Sequence, residues 1–291
     1  MQTFTPKHLE SLFRPAATSS KEQNGQVTII GGSDLFHGAP LLSLITASRI
    51  VDIVFFATPD KGVGETAQKL KSRLLSFIWI PWGQVGEYLK KSDAALIGPG
   101  LKRYHKEGRQ PSSPHLDSAG TYTKRLTQKL LRKYPQKQWV IDAGALQVVN
   151  PSLIPQNAIL TPNQKEFALL FGKIPPSSSI NQTAQIVEKQ AQKYHCIISY
   201  KAPASIVSDG KRTFLIKNGN PGLTKGGTGD VLAGLTCALA AKNPPLFAAP
   251  AAAYLTKAAA DDLARKLGTH YNADDLAAQL PLTFHRLTSK L

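Results

Sequence analysis

The sequence predicts an α/β fold: a mostly parallel central sheet with helices on both sides and one late antiparallel hairpin. Three observations lead there. Short β-rich apolar runs alternate with segments of helical period along the chain. Several of the runs are apolar without interruption, as strands covered on both faces must be. Late in the chain, Ser208, Asp209 and Gly210 separate two β-rich runs, and Asp-Gly is a turn that joins antiparallel strands.

In chain order the strand candidates are 27–30, 50–57, 77–80, 94–97, 139–142, 158–160, 196–200, 205–207 and 213–216. Helical spacing fits 40–49, 64–75, 126–134, 164–171, 180–194, 229–241, 248–267 and 273–287. The stretches QPSSPH (110–115) and PPSSS (175–179) mark loops, neither long enough for an interdomain linker. No internal repeat is present. We expect one domain over 1–291, with 1–25 as an N-terminal extension ahead of the first strand.

Composition narrows the function classes. Hydrophobic residues at 42% and charged residues at 19% describe a globular chain. Cys196 and Cys237 form no CxxC pair and read as buried thiols in a reducing compartment. The start, MQTFTPKHLESLFRP, has no apolar core of a signal peptide, and Pro250 interrupts the longest apolar run. No run approaches membrane-spanning length. The expected location is therefore cytoplasmic, with no membrane partner. The net charge of +16 attracts anions. Its densest groups, 69–73 and 124–133, have helical spacing and read as solvated faces. With no nucleic-acid motif, nucleic acid is not expected as a partner, and the charge reads first as a feature of a basic proteome or of solubility and second as an attraction for phosphorylated small molecules.

The segment NGNPGLTKGGTGDVLAG (218–234) carries the chemistry. It holds six glycines in seventeen residues and runs into an apolar helix. Gly226, Gly227, Thr228 and Gly229 lead into the helix at Asp230, where unpaired N–H groups and the helix dipole make an anion site. Asp230 suits a plain N-cap. A carboxylate behind four residues of GGTG also suits a general base beside a phosphate cradle. GxxxxGK[ST] is absent, which excludes a P-loop. GxGxxG is absent too: the third glycine position holds Leu232 in one candidate and Arg103 in the other.

Asn220-Pro221-Gly222 followed by GGTGDVLAG resembles the C-terminal signature of the ADP/ATP-dependent NAD(P)H-hydrate dehydratases, members of the ribokinase-like superfamily. Other segments are similar to the family's in order: Gly31-Gly32-Ser33 with Gly38-Ala39, AALIGPGL (94–101), VIDAGAL (140–146) and ILTPNQKEF (159–167). The resemblance covers about 27–280. It implies a ribokinase-like three-layer α/β/α sandwich. The implied activity uses ADP or ATP, with Mg2+, to dehydrate hydrated NADH or NADPH by phosphoryl transfer to the ring hydroxyl and loss of phosphate. A homo-oligomer, a tetramer on the family's pattern, is implied as well.

Carried over residue by residue, the resemblance makes Asp230 the base and a contact of the hydrated dinucleotide, together with Ala39, Gly100 and Asn163. It puts Lys201, Ala202, Pro203, Ala204 and Ser205 on the nucleotide, with Gly229. The glycine-loop reading adds Gly226, Gly227 and Thr228, and Lys225 at the lip. Glu166 is a candidate magnesium contact. Asp142 reads equally as a substrate or magnesium contact and as a strand-end hydrogen-bond acceptor. Lys201 reads as a surface lysine or as a strand-end site residue.

Several positions depart from the family pattern. TPNQKE stands where TPHPGE is usual, so Asn163 replaces a histidine. Ala202 replaces Gly, Ser205 replaces Thr, and Thr256-Lys257 replaces His-Gly. Two other functions fit the glycine loop: a small-molecule kinase of the same fold acting on an alcohol, and a nucleotide-binding relative without turnover.

Overall fold

The computed structural model describes residues 1–72, 74–103 and 116–289. Its strands are β1 (Gln2–Thr3), β2 (Gln26–Ile30), β3 (Ile53–Ala57), β4 (Ile78–Trp79), β5 (Ala94–Ile97), β6 (Gln138–Ile141), β7 (Ile159–Leu160), β8 (Ile197–Tyr200), β9 (Ser205–Ser208) and β10 (Thr213–Ile216). They form one sheet in the order β1-β10-β9-β8-β7-β6-β5-β2-β3-β4. Pairing is parallel except where β9 meets β8 and β10. The Asp-Gly turn therefore joins an antiparallel hairpin late in an otherwise parallel sheet, as the sequence predicts.

The helices are α1 (Gly38–Ala47), α2 (Lys61–Leu70), α3 (Val85–Lys91), α4 (Ser118–Lys133), α5 (Ala143–Leu146), α6 (Gln164–Phe171), α7 (Ile180–Tyr194), α8 (Thr228–Ala240), α9 (Pro245–Leu267) and α10 (Ala273–Thr288). Two apolar cores flank the sheet, and strand alternation divides the residues between them. On β5, Ala94 and Leu96 face the core built with α1, α8, α9 and α10, while Ala95 and Ile97 face the core built with α4, α6 and α7. Both faces of the central strands are covered, which explains their unbroken apolar runs.

Several elements differ from their expected bounds. The strand expected over 50–57 begins at Ile53, because Ile50 and Val51 close the end of α1 through bonds to the Ala47 carbonyl at 3.0 and 3.2 Å. Helix α4 begins at Ser118, eight residues before the expected 126. The Asp117 carboxylate caps it by accepting from Gly120 N at 3.0 Å, and its buried face carries Gly120, Thr123 and Thr127, so hydropathy does not mark it. Helix α3 buries Leu89 alone and gives no readable period. The loop expected at 110–115 lies outside the described residues.

The first residues join the sheet. β1 pairs with β10, and Phe4, Leu9 and Leu12 are buried in the core that holds α9 and α10. Lys124, Arg125, Lys129, Arg132 and Lys133 are exposed on α4, a solvated basic face as expected. Both cysteines are buried and unpaired; burial pushes the Cys196 thiol up to about 12. Among the described residues no helix is long and apolar enough to cross a membrane.

Candidate active site

Parallel strands deliver their carboxyl ends to one edge of the sheet, and the candidate residues collect there. Two crossings require glycine. Gly31 and Gly32 pass directly over Pro99, with Gly32 N donating to Pro99 O at 2.8 Å, and a Cβ on Gly31 would lie 2.1 Å from that oxygen. Gly100 takes φ +74, and a Cβ there would meet Phe36 O at 2.6 Å. These contacts draw the end of β5 beneath the start of α1, so Gly100 lies under the turn that leads to Ala39.

Ala39 is tied to the glycine-rich helix start. Ser43, one turn further along α1, donates to Asp230 O at 2.7 Å and approaches Ala39 O at 3.5 Å. Gly234 of α8 packs on Ser43 so closely that a Cβ would fall 2.4 Å from its carbonyl oxygen. Backbone contact between α1 and α8 thus fixes Asp230 relative to Ala39.

Gly227 is the N-cap of α8, with φ +91. The first regular bond of the helix, Val231 N to Gly227 O at 3.1 Å, leaves the Gly229 and Asp230 amides ahead of it with no intrahelical acceptor. Gly226 is exposed, with open space where a side chain would be. Thr228 is buried, and its hydroxyl donates to the Leu223 and Lys225 carbonyls at 2.7 and 2.9 Å. It staples the preceding turn, while Gly226, Gly227 and Gly229 leave their backbone accessible.

Opposite this helix start lies a charged group assembled from three strand ends. Lys201, directly after β8, places Nζ 3.0 Å from Asp142 Oδ1 and 3.7 Å from Glu166 Oε2. Asp142 follows β6, is 1% exposed, and also accepts from Thr161 Oγ1 at 2.6 Å. Glu166 and Asn163 form a reciprocal cap at the start of α6: Asn163 N donates to Glu166 Oε2 at 2.9 Å and Glu166 N to Asn163 Oδ1 at 3.0 Å. A β-bridge between Asn163 and Lys201 carries the pairing past the ends of β7 and β8. Of the two readings open for Asp142 and Lys201, the structure gives both residues partners inside the site.

The electrostatics follow from this packing. Burial alone would depress the Lys201 ammonium, but the Asp142 and Glu166 carboxylates outweigh it and hold it above its ordinary value. Asp230 is partly buried on the facing helix. Desolvation, with the negative field of Asp142 and then Glu166, pushes its carboxyl up to about 7, and Lys201 opposes the shift. A Cβ on Gly229 would lie 3.4 Å from Lys201 Nζ, so the ammonium faces the first turn of α8.

A cavity of about 620 Å³ runs from this charged group along the start of α8 to α9. Asn163, Lys201 and Gly229 line it, and so do Ala253, Thr256 and Lys257 of α9. Ala202, Pro203 and Ser205 form one wall, with Ser205 Oγ donating to Ala202 O at 3.1 Å. Ala204 is packed against the core under that wall. The opposite wall is the turn 219–225, held to α9 by Asp261, which accepts from Gly219 N and Asn220 Nδ2, both at 3.0 Å. Tyr271 donates to Asn220 Oδ1 at 2.8 Å. Lys225 lines the cavity, but its ammonium donates to Thr269 O at 2.5 Å and Tyr271 O at 2.6 Å.

Sequence reasoning missed the roles of Thr256, Lys257 and Asp261 in shaping this cavity. Lys257 donates to Ala202 O and Pro203 O at 3.0 and 2.6 Å, and desolvation, partly offset by Asp261, lowers it to about 8. The departure from His-Gly at 256–257 was the available signal.

Magnesium bound with nucleotides is commonly held by phosphates and one or two carboxylates. Among the described residues no group of three His, Cys, Asp or Glu side chains could hold a metal ion. Glu166 and Asp142 are the carboxylates nearest the Lys201 ammonium, and both are already engaged by it. The residues fit an ion carried on donor phosphates, not one held by a cage of their own.

A parallel sheet with one late antiparallel hairpin, a GGTGD helix start and a facing strand-end lysine describe a ribokinase-like fold. A ribokinase-like superfamily protein from Enterococcus faecalis V583 superposes with a TM-score of 0.79 at 21% identity, covering 98% of this chain and 96% of that one. A Bacillus subtilis ADP/ATP-dependent NAD(P)H-hydrate dehydratase co-crystallised with ATP/Mg2+ also gives 0.79, at 23% identity over 98% of both chains. The NAD(P)H-hydrate dehydratase family model matches residues 27–282. An ADP-dependent (S)-NAD(P)H-hydrate dehydratase from Nitrosopumilus maritimus (strain SCM1) is 34% identical over 276 residues, 90% of this chain and 89% of that protein. The chain belongs to the NAD(P)H-hydrate dehydratase family.

Proposed function

We propose that the protein dehydrates hydrated NADH or NADPH at the expense of ADP or ATP. The observation that carries this reading is Asp230: a carboxyl raised to about 7, at a helix start whose first amides have no intrahelical acceptor, opposite the Lys201 ammonium. A base poised near neutral pH is suited to take a proton from a hydroxyl.

In this reading Asp230 accepts the proton of the ring hydroxyl as its oxygen attacks the terminal phosphorus of the donor. The new O–P bond forms and the bond to the leaving AMP or ADP breaks. Lys201 and the Gly229 and Asp230 amides stabilise charge on the phosphoryl oxygens. Phosphate is a far better leaving group than hydroxide. The ring nitrogen lone pair expels it, and loss of a proton from the adjacent ring carbon restores the dihydronicotinamide. The donor occupies the cavity beside residues 201–205, and the hydrated ring lies toward Ala39, Gly100 and Asn163. Mg2+ would enter on the donor phosphates and neutralise part of their charge. A cytoplasmic homotetramer, formed from one-domain chains over 1–291, completes the reading.

The test is to incubate the protein with hydrated NADH and either ADP or ATP. The expected result is NADH and phosphate in equal amounts, with AMP or ADP as the second product. NADH recovery that does not depend on nucleotide would sink the proposal. Phosphate transfer to a plain alcohol without NADH recovery would favour the kinase reading.

A further inference from the structure

We propose that Thr256 and Lys257 read the nucleobase of the phosphoryl donor, Thr256 through its hydroxyl and Lys257 through one N–H of its ammonium. The inference rests on the donor reading above and names the part of the site that selects the donor.

The cavity lining has two chemically different parts. The part around Lys201 is charged and faces the first amides of α8, so it suits phosphates. About it, along the cavity, Pro203, Leu223, Leu232 and Ala253 provide apolar walls, which suit a flat heteroaromatic ring. A nucleotide with its phosphates on Lys201 therefore sends its base toward α9.

Two polar groups meet it there. Thr256 is 4% exposed, lines the cavity, and its Oγ1 has no hydrogen-bond partner among the described residues. A buried hydroxyl without a partner is costly, and a ligand that bonds it removes that cost. Lys257 also lines the cavity. Its stem passes Gly219, where φ is +106 and a Cβ would lie 3.0 Å from Lys257 Cγ. Its Nζ donates to Ala202 O and Pro203 O. An ammonium has three N–H donors, so one remains for a ligand acceptor. Ring nitrogens of a purine are acceptors of that kind, and a hydroxyl can give or accept the second bond.

Position 257 is also where the chain departs from the Gly of the family pattern it resembles. Gly219 and Lys257 fit one another, since any side chain at 219 would press on the lysine stem. This part of the cavity thus departs from the family pattern at residues that fit one another.

The test is calorimetric titration of the full-length protein with AMP and, separately, with inorganic diphosphate, using wild type, Thr256→Val, Thr256→Ser and Lys257→Met. Thermal melts confirm that each variant is folded. Wild type binds AMP. Thr256→Val is expected to weaken AMP about fivefold, the usual worth of one neutral hydrogen bond. Thr256→Ser, which keeps the hydroxyl, stays within about twofold. Lys257→Met weakens AMP by at least as much as Thr256→Val, and diphosphate binding is the same in all four proteins. Unchanged AMP affinity in both Thr256→Val and Lys257→Met overturns the assignment, as does an equal loss for AMP and diphosphate. A rise confined to the KM for hydrated NADH overturns it too, by giving this part of the cavity to the dinucleotide. Failure of wild type to bind AMP overturns the donor reading itself, a result visible before any variant is compared.

Discussion

Lys201 Nζ lies 3.0 Å from Asp142 Oδ1 although the two residues are 59 positions apart in sequence. With Glu166 at 3.7 Å, one ammonium serves two carboxylates that are both nearly buried. Asp230 faces this group and is protonated or not according to the balance of its charges. The site is therefore electrostatically coupled: changing Lys201, Asp142 or Glu166 should change the protonation of Asp230.

Asp230 should make turnover and stability respond to pH in opposite directions. As a base it works when ionised, so kcat/KM should rise as the pH passes through about 7. Its ordinary value is 3.8. Between 3.8 and about 7 the unfolded chain ionises this group while the native protein keeps it protonated. This contribution to stability is therefore lost as the pH rises through that window, and the loss is complete above it. Asp230→Asn escapes the loss. It should lower turnover by ~10²–10⁴-fold, and above pH 7 it should melt at a higher temperature than wild type. Rate profiles and thermal melts across this range check both claims; a variant with near-normal turnover removes Asp230 from the mechanism.

Lys201→Met should uncover the two carboxylates it serves. Removing one partner of a buried ionic group costs about 3–5 kcal/mol, because the remaining charge is left uncompensated. The rising limb of the pH profile should also move up, since Lys201 is the charge that opposes the Asp230 shift. Combining Lys201→Met with Asp142→Asn should cost less than the sum of the single changes, because the pair shares one interaction. Denaturant melts of the three variants supply the cycle, and strict additivity would show that the pair is not coupled.

Asn163 has a measurable structural task alongside its place in the cavity. Its side chain caps α6 by accepting from Glu166 N. Asn163→Ala should cost about 1 kcal/mol through loss of the cap. Asn163→His, the residue usual in the family pattern, should lose the cap as well yet keep turnover within about tenfold, roughly 1.4 kcal/mol. Thermal melts and steady-state rates on the two variants separate capping from catalysis. Loss of all nucleotide binding in either would mean that α6 carries the whole site.

The sequence and structure agree most closely where local signals are strong. Strand β5 and helices α6 and α7 match their expected bounds because an apolar run and side-chain caps mark them. Helix α3 and strand β1 were not legible, since each is too short to show a period. The same division runs through the site. Gly226, Gly227, Gly229 and Asp230 are adjacent in sequence and visible as a motif. The partnership of Lys201 with Asp142 depends on three parallel strands, β6, β7 and β8, ending together, which no local pattern records. Lys257 showed itself as a residue out of place, but its span from Gly219 to Pro203 needed coordinates.

Lys225 supplies the last prediction. Its ammonium is held by the Thr269 and Tyr271 carbonyls and lies 5.6 Å from the centre of the Tyr271 ring. It is an exposed residue on a flexible stem, and it borders the cavity one residue before Gly226. For Lys225 to act on the transferred phosphate it must leave those carbonyls and swing inward, where it would serve as a mobile point charge. That exchange replaces neutral acceptors with an anion that gains charge as the P–O bond breaks. Lys225→Ala should therefore reduce turnover with ADP or ATP and scarcely change the affinity for AMP, which lacks the transferred group. Lys225→Arg should restore turnover only in part, because a longer planar group cannot take the same path. An equal loss for AMP and the full donor would assign Lys225 to general attraction of anions. No loss for either would leave it as the tie between the 219–225 turn and the end of α9 that its carbonyl contacts already make, detectable then as a lower melting temperature alone.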